Sequence, residues 1–222
     1  MLKLAAIALF ATVVSGETIT GMITIKRKLT RHRVTAAVSV YQRGNTVELG
    51  ADAPMSPLDF ERSHVVIWIE GQRTAAVSHV SIEQIGRRFV PDLAVIPVGS
   101  SVAFPNEDPI FHNVFSLSGV KSFDLGNYPK GSSRTVEFTK PGIVYVACHL
   151  HSNMSATVVV TPNDRFARAD PAGNFEIPNL APGRYSVVAW HKAAGLFRQS
   201  VDVLPRKGAQ IGFFIPIGEG SE

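Results

Sequence analysis

The residues best suited to chemistry lie in one stretch, Cys148-His149-Leu150-His151-Ser152-Asn153-Met154. Cys148 is the only cysteine in 222 residues. A histidine follows it by three positions, and a methionine follows that histidine by three. Thiolate, imidazole and thioether on one short loop are the donors that copper takes, soft sulfur plus imidazole. A trigonal set of two imidazoles and one thiolate, with a weak axial thioether, is the arrangement used for one-electron transfer. The loop then lacks one imidazole. His112, in Phe111-His112-Asn113-Val114-Phe115, is the best candidate, far enough upstream for about three strands of ordinary length to intervene. Taken singly, Cys148 reads as a buried small side chain, Met154 as core filling and His112 as a half-buried histidine. Taken together, in a chain with one cysteine, they read as a metal site.

The elements that must position these donors are strands. Gly142-Ile143-Val144-Tyr145-Val146-Ala147 leads into the loop and Ala156-Thr157-Val158-Val159-Val160 leads out. Further strand candidates are Thr18 to Ile25, Val34 to Tyr41, Val65 to Ile69, Leu93 to Val98, Ser101 to Phe104, Asn113 to Leu117, Arg134 to Phe138, Tyr185 to Trp190, Phe197 to Leu204 and Ile211 to Ile217. Turn residues at 44–57 predict a loop, and Gly126 and Pro129 predict an irregular stretch from Phe123 to Pro129. No stretch shows sustained helical periodicity or a helix cap. The expected class is all-β.

Composition agrees: 45% hydrophobic and 18% charged residues suit a packed core, with eighteen glycines and fourteen prolines between short Val/Ile/Phe runs. Met1-Leu2-Lys3, an apolar run from Leu4 to Val14 and the small residues Val14-Ser15-Gly16 read as a secretory leader over residues 1–16. Periplasmic or secreted location follows from that reading. No later apolar run is long enough to span a bilayer. The full chain carries a net charge of +4, a mild excess that names no partner. The cluster Lys26-Arg27-Lys28 with Arg31-His32-Arg33 reads as a solvated strand end, and no nucleic-acid-binding motif is present. His64, His79 and His191 lack ligand spacing and read as structural or surface residues. His149 sits beside the cysteine on extended chain, where neighbouring side chains point opposite ways, so it is expected to face away from the metal.

Residues 89–160 resemble the small blue copper proteins of the plastocyanin and azurin superfamily, with amicyanin, whose loop is Cys-x-x-His-x-x-Met, the nearest in spacing. The upstream match is Phe104-Pro105-Asn106 followed by His112-Asn113. The resemblance implies a cupredoxin-like Greek-key sandwich holding one type 1 copper. It implies His112, Cys148 and His151 as strong ligands, Met154 as the weak axial one, and Asn113 as a brace between the ligand loops. Leu150 and Ser152 stand where prolines flank the ligand histidine in amicyanin. The whole chain also resembles secreted proteins termed methylamine-utilisation-like.

The motif Asp170…Gly173-Asn174-Phe175…Leu180-Ala181-Pro182-Gly183-Arg184-Tyr185 resembles the carboxypeptidase regulatory-like module, a transthyretin- or immunoglobulin-like β-sandwich. Gly21-Met22-Ile23 and Val65 to Ile69 could supply its first strands. The resulting expectation is a sandwich split between residues 17–78 and 162–222, with a copper unit at 79–161 inserted; three small units in tandem is the alternative. The expected function is a monomeric one-electron carrier serving a redox partner protein, not an enzyme by itself. A copper-trafficking protein and a β-sandwich interaction module without a redox role are the other readings.

Overall fold

The structure, a computed structural model, describes residues 16–30, 55–71 and 76–216. The leader up to residue 15, the strand expected at 34–41, the cluster at 31–33, most of the loop expected at 44–57 and the chain end from 217 lie outside the described residues.

In chain order, β1 (Glu17–Thr24), α1 (Pro57–Ser63) and β2 (Val65–Ile69) come first. Ten strands follow: β3 (His79–Ser81), β4 (Glu83–Ile85), β5 (Arg88–Val90), β6 (Leu93–Pro97), β7 (Ser101–Pro105), β8 (His112–Ser118), β9 (Lys121–Tyr128), β10 (Ser133–Glu137), β11 (Gly142–Ala147) and β12 (Ser155–Thr161). The last five are β13 (Phe166–Arg168), β14 (Asn174–Leu180), β15 (Gly183–His191), β16 (Gly195–Val203) and β17 (Ala209–Phe214). Among the described residues the class is all-β, as the residue patterns predict, apart from one short helix.

Four larger sheets form two sandwiches. One sandwich has sheets ordered β14-β1-β17 and β13-β2-β15-β16; the other has β10-β7-β3 and β6-β12-β11-β8-β9. Strand β1 pairs with β14 and β17, and β2 pairs with β13 and β15. Among the described residues, the strands between 79 and 161 pair only with one another.

Side-chain alternation explains the stacking. On β2, Val65, Ile67 and Ile69 enter the core shared with Ile19, Ile23, Val187 and Phe213. Val66 and Trp68 point the other way, toward Leu93, Val159 and Trp190. On β12, Ala156, Val158 and Val160 join the second core with Phe104, Val114, Cys148 and Met154, while Val159 faces Trp190. Strands β2 and β12 are therefore buried on both faces, which is why they read as unbroken apolar runs. Strand β9 lies at an edge, and its Phe123 and Leu125 alternate with Ser122 and Asp124 instead.

Two expectations are corrected. A capped helix stands just after the expected loop, where no helix or cap is expected: Ser56 caps α1 by accepting from the Asp59 amide at 3.2 Å, Pro57 opens the first turn, and Arg62 pairs with Asp59 at 2.7 Å. Seven residues make two turns, too few for a periodic signal to show. Residues 121–128 form a strand rather than an irregular stretch. Gly126, with φ +65°, takes up a β-bulge opposite Asn113–Phe115, so the glycine that reads as a break is a kink within the ladder.

Candidate metal centre

Strand pairing brings the two donor segments together. Strands β8 and β11 are neighbours, with Ala147 opposite Phe115, so His112 and Asn113 lie beside the end of β11, where Cys148 follows. The Asn113 amide donates to Cys148 Sγ at 3.4 Å. The loop then folds back, its turn closed by the Met154 amide donating to the His151 carbonyl at 3.0 Å. Asn113 ties both segments: its Oδ1 accepts from the His149 amide at 3.4 Å, and its Nδ2 donates to Asp124 Oδ1 at 2.6 Å. Asp124 reaches that place through the bulge, where the same oxygen accepts from the Gly126 amide at 2.8 Å.

One ligand atom each from His112, Cys148 and His151 lie within 4.8 Å of one another, the one group of this kind among the described residues. His112 Nδ1 is 3.1 Å from His151 Nδ1, and His151 Nδ1 is 3.9 Å from Cys148 Sγ. His112 is 0% and Cys148 4% exposed. Met154, also buried, packs in the same cluster as Cys148. His149 does turn away. Its ring stacks on Phe115 with centroids 3.6 Å apart, and its Nε2 approaches Asp124 at 3.8 Å.

Asp108 is not among the residues that the sequence motifs single out. The structure gives it a larger part. Asp108 Oδ2 lies 2.8 Å from His112 Nε2, and the two carboxylate oxygens accept from the amides of Gly86 at 2.7 Å and Arg87 at 2.8 Å. Those amides form the tip of the β4–β5 hairpin. Gly86 and Arg87 both have positive φ, 60° and 56°, as a two-residue turn of this hand requires. Burial pushes the Asp108 carboxyl up, yet the bonds from Arg87, His112 and Gly86 hold it below the usual range. The signal was present in the spacing: a carboxylate four residues before the candidate histidine. Asn106, whose Nδ2 donates to the carbonyls of Ile110 and Tyr128 at 2.9 and 3.0 Å, holds the intervening turn.

An ionised carboxylate can only accept, so His112 Nε2 carries the proton of the neutral ring. Nδ1 is left with its lone pair directed at His151 and Cys148, which is the ligating tautomer. The basicity of His151 is also lowered, first by burial and then by the nearby His112 and Arg87, against a smaller opposing effect of Asp108. Neutral imidazole is thus the favoured form of His151.

No known family model matches the chain, and no curated protein sequence matches it. Part of the chain is similar to solved copper-protein structures. A copper-containing nitrite reductase from Thermus scotoductus SA-01 aligns at 26% identity and TM-score 0.36 over 41% of this chain. The chain spans 24% of that protein's length. A purple cupredoxin from Nitrosopumilus maritimus aligns at 21% identity and TM-score 0.34, over 37% of this chain and 99% of its own. A Cu(I) form of an amicyanin variant aligns at 20% identity and TM-score 0.35, over 42% of this chain and 97% of its own. No helix among the described residues is long and apolar enough to cross a membrane.

Proposed function

We propose that the chain is an exported one-electron carrier. In this reading residues 79–161 form a type 1 copper unit inserted into a carboxypeptidase regulatory-like sandwich. His112, Cys148 and His151 are the strong ligands, Met154 is the axial one, and Asn113 braces the loops. The observation that carries the reading is the convergence of two imidazole nitrogens and the lone thiol sulfur within 4.8 Å. The donor set fits the metal, since thiolate and imidazole together suit both copper oxidation states. Copper bound there would supply the reversible one-electron change. The protein's part is to keep the donors still: the Asp108 bond fixes the His112 ring, Asn113 locks the two segments, and the buried core around Cys148 excludes water.

The way in and out for the electron is the edge of His151. It is the least buried of the three donors, and Leu150 and Phe111 beside the site are 48% and 57% exposed. An apolar rim of this kind suits brief docking with a redox partner protein through a small interface, about 1,200 Å² or less in total.

Reconstitution with Cu(II) followed by visible spectroscopy tests the proposal. One copper per chain with an intense thiolate-to-copper band is expected, and Cys148→Ser should lose the band while the far-UV spectrum stays that of a β-protein. A chain that takes no Cu(II), or takes it without the band, ends the proposal.

A further inference from the structure

The two sandwiches do not close fully against each other. Beside the contact of Val66 and Trp190 with Leu93 and Val159 lies a cavity of about 190 Å³. Phe60, His64, Trp190 and Lys192 line it from one sandwich; Leu93, Ser155 and Thr157 line it from the other. A junction between domains is where small-molecule sites are commonly found. The volume sets the ligand size. A cavity of about 150 Å³ accepts one benzene ring, so this one admits a single ring with a small substituent.

The lining sets the chemistry. Phe60, Trp190 and Leu93 make the walls apolar and largely aromatic. His191 contributes only its ring, because its Nε2 is bound to Glu61 at 2.9 Å and its Nδ1 accepts from the Ala193 amide at 3.3 Å. His64 Nδ1 faces the Phe60 carbonyl at 2.7 Å, and Nε2 faces Asp92 Oδ1 at 3.2 Å. The His64 bond and the nearby Arg168 charge hold the Asp92 carboxyl below its usual range against burial, so its charge is already answered. Lys192 makes no ion pair among the described residues; its Nζ sits 5.9 Å from the Tyr145 ring centroid. Thr157, 2% exposed, lines the cavity beside Ser155. The groups left to serve a ligand are the Lys192 cation and the hydroxyls of Ser155 and Thr157, beside an aromatic slot.

We propose that this junction cavity binds a small one-ring aromatic carboxylate, its ring between Phe60, Trp190 and Leu93 and its carboxylate toward Lys192 and the Thr157 hydroxyl. The site is separate from the metal centre and does not depend on it. An amine of the same shape would meet Lys192 with like charge, and the neutral alcohol would leave that charge unanswered.

Titration calorimetry on the full chain, with benzoate, benzyl alcohol and benzylamine as probes, tests this. A ligand of nine heavy atoms can reach about millimolar affinity or better. Saturable one-to-one binding of benzoate is expected, with benzylamine at least tenfold weaker and benzyl alcohol between them. Lys192→Glu, a surface change, should weaken benzoate at least tenfold, and Thr157→Val about threefold. The benzoate affinity should be the same with and without copper. Absence of saturable benzoate binding, equal binding of benzylamine, no effect of Lys192→Glu, or loss of binding on copper removal would each overturn the proposal.

Discussion

Among the described residues each sandwich buries one carboxylate–imidazole pair, and the two pairs look alike until the far nitrogen is followed. Asp108 and His112 lie 2.8 Å apart in one sandwich; Glu61 and His191 lie 2.9 Å apart in the other. Glu61 also accepts from the Leu29 and Thr30 amides at 2.9 and 2.7 Å and from the Thr30 hydroxyl at 2.7 Å. With the Ala193 amide on His191 Nδ1, every polar atom of that pair is used within the fold. In the Asp108 pair, the Nδ1 of His112 faces a second imidazole and a thiol. The same two residue types thus make a closed strut in one place and an open donor in the other. A buried pair does not identify a site; what its outer nitrogen meets does.

The largest effect should come from breaking the closed pair. Glu61→Ala leaves His191, two amides and a hydroxyl without their acceptor. A loss of about 3–5 kcal/mol in folding stability is expected, read as a lower denaturant midpoint. Copper affinity of the chain that remains folded should hardly change. A comparable loss of copper affinity would show that the two pairs are coupled and that the contrast is false.

Next in size is the open pair. Asp108→Asn keeps the shape but removes the charge that holds the proton on His112 Nε2. Copper affinity should drop about 10–100-fold in a competition titration against a chelator. Stability of the metal-free chain should fall by less than in Glu61→Ala. Unchanged affinity would class Asp108 with Glu61, as a strut.

The smallest effect is a pH dependence that separates the metal site from the closed pair. His151 and His191 both have basicity lowered in the fold, in each case chiefly by burial. The unfolded chain then binds more protons than the folded one as pH falls through the ordinary histidine range near about 6.5. Stability is therefore present above that range and is lost as pH falls through it, by at most about 1.4 kcal/mol per pH unit for each group. Below about 4.5 the sign for Glu61 and Asp108 is the same, because both carboxyls are held low in the fold. Copper should keep His151 free of a proton in the folded chain, so that its loss of stability steepens and extends further between pH 7 and 5, and should leave the His191 share unchanged. Thermal melts of the metal-free and loaded chain across that range measure the difference; identical slopes would place His151 outside the metal's reach.

Much of this was legible along the chain because it is local. Period-two alternation on β1 and unbroken apolar runs on β2 and β12 predict strands, since the side-chain period of extended chain is a property of the strand itself. Cys148, His151 and Met154 lie on one loop, so their spacing is their geometry. Asp108 was within reach too, four residues from His112. The helix α1 was lost because it is short, and β9 because Gly126 marks both a break and a bulge in sequence.

What only the tertiary structure decided is partnership. A strand's residues say that it will pair, and one face or two faces say how deeply it is buried. Which strand it meets depends on chain entropy and packing summed over the whole fold. Val65 to Ile69 says nothing of β13 or β15, which lie about a hundred residues on. Glu61 carries no mark of His191, nor Phe60 of Thr157. The strut and the junction cavity both come from side chains far apart in sequence, brought together when two sandwiches bury Trp190 against Leu93 and Val159. Local residues decide what each segment can be, and only the shared core decides which segments meet.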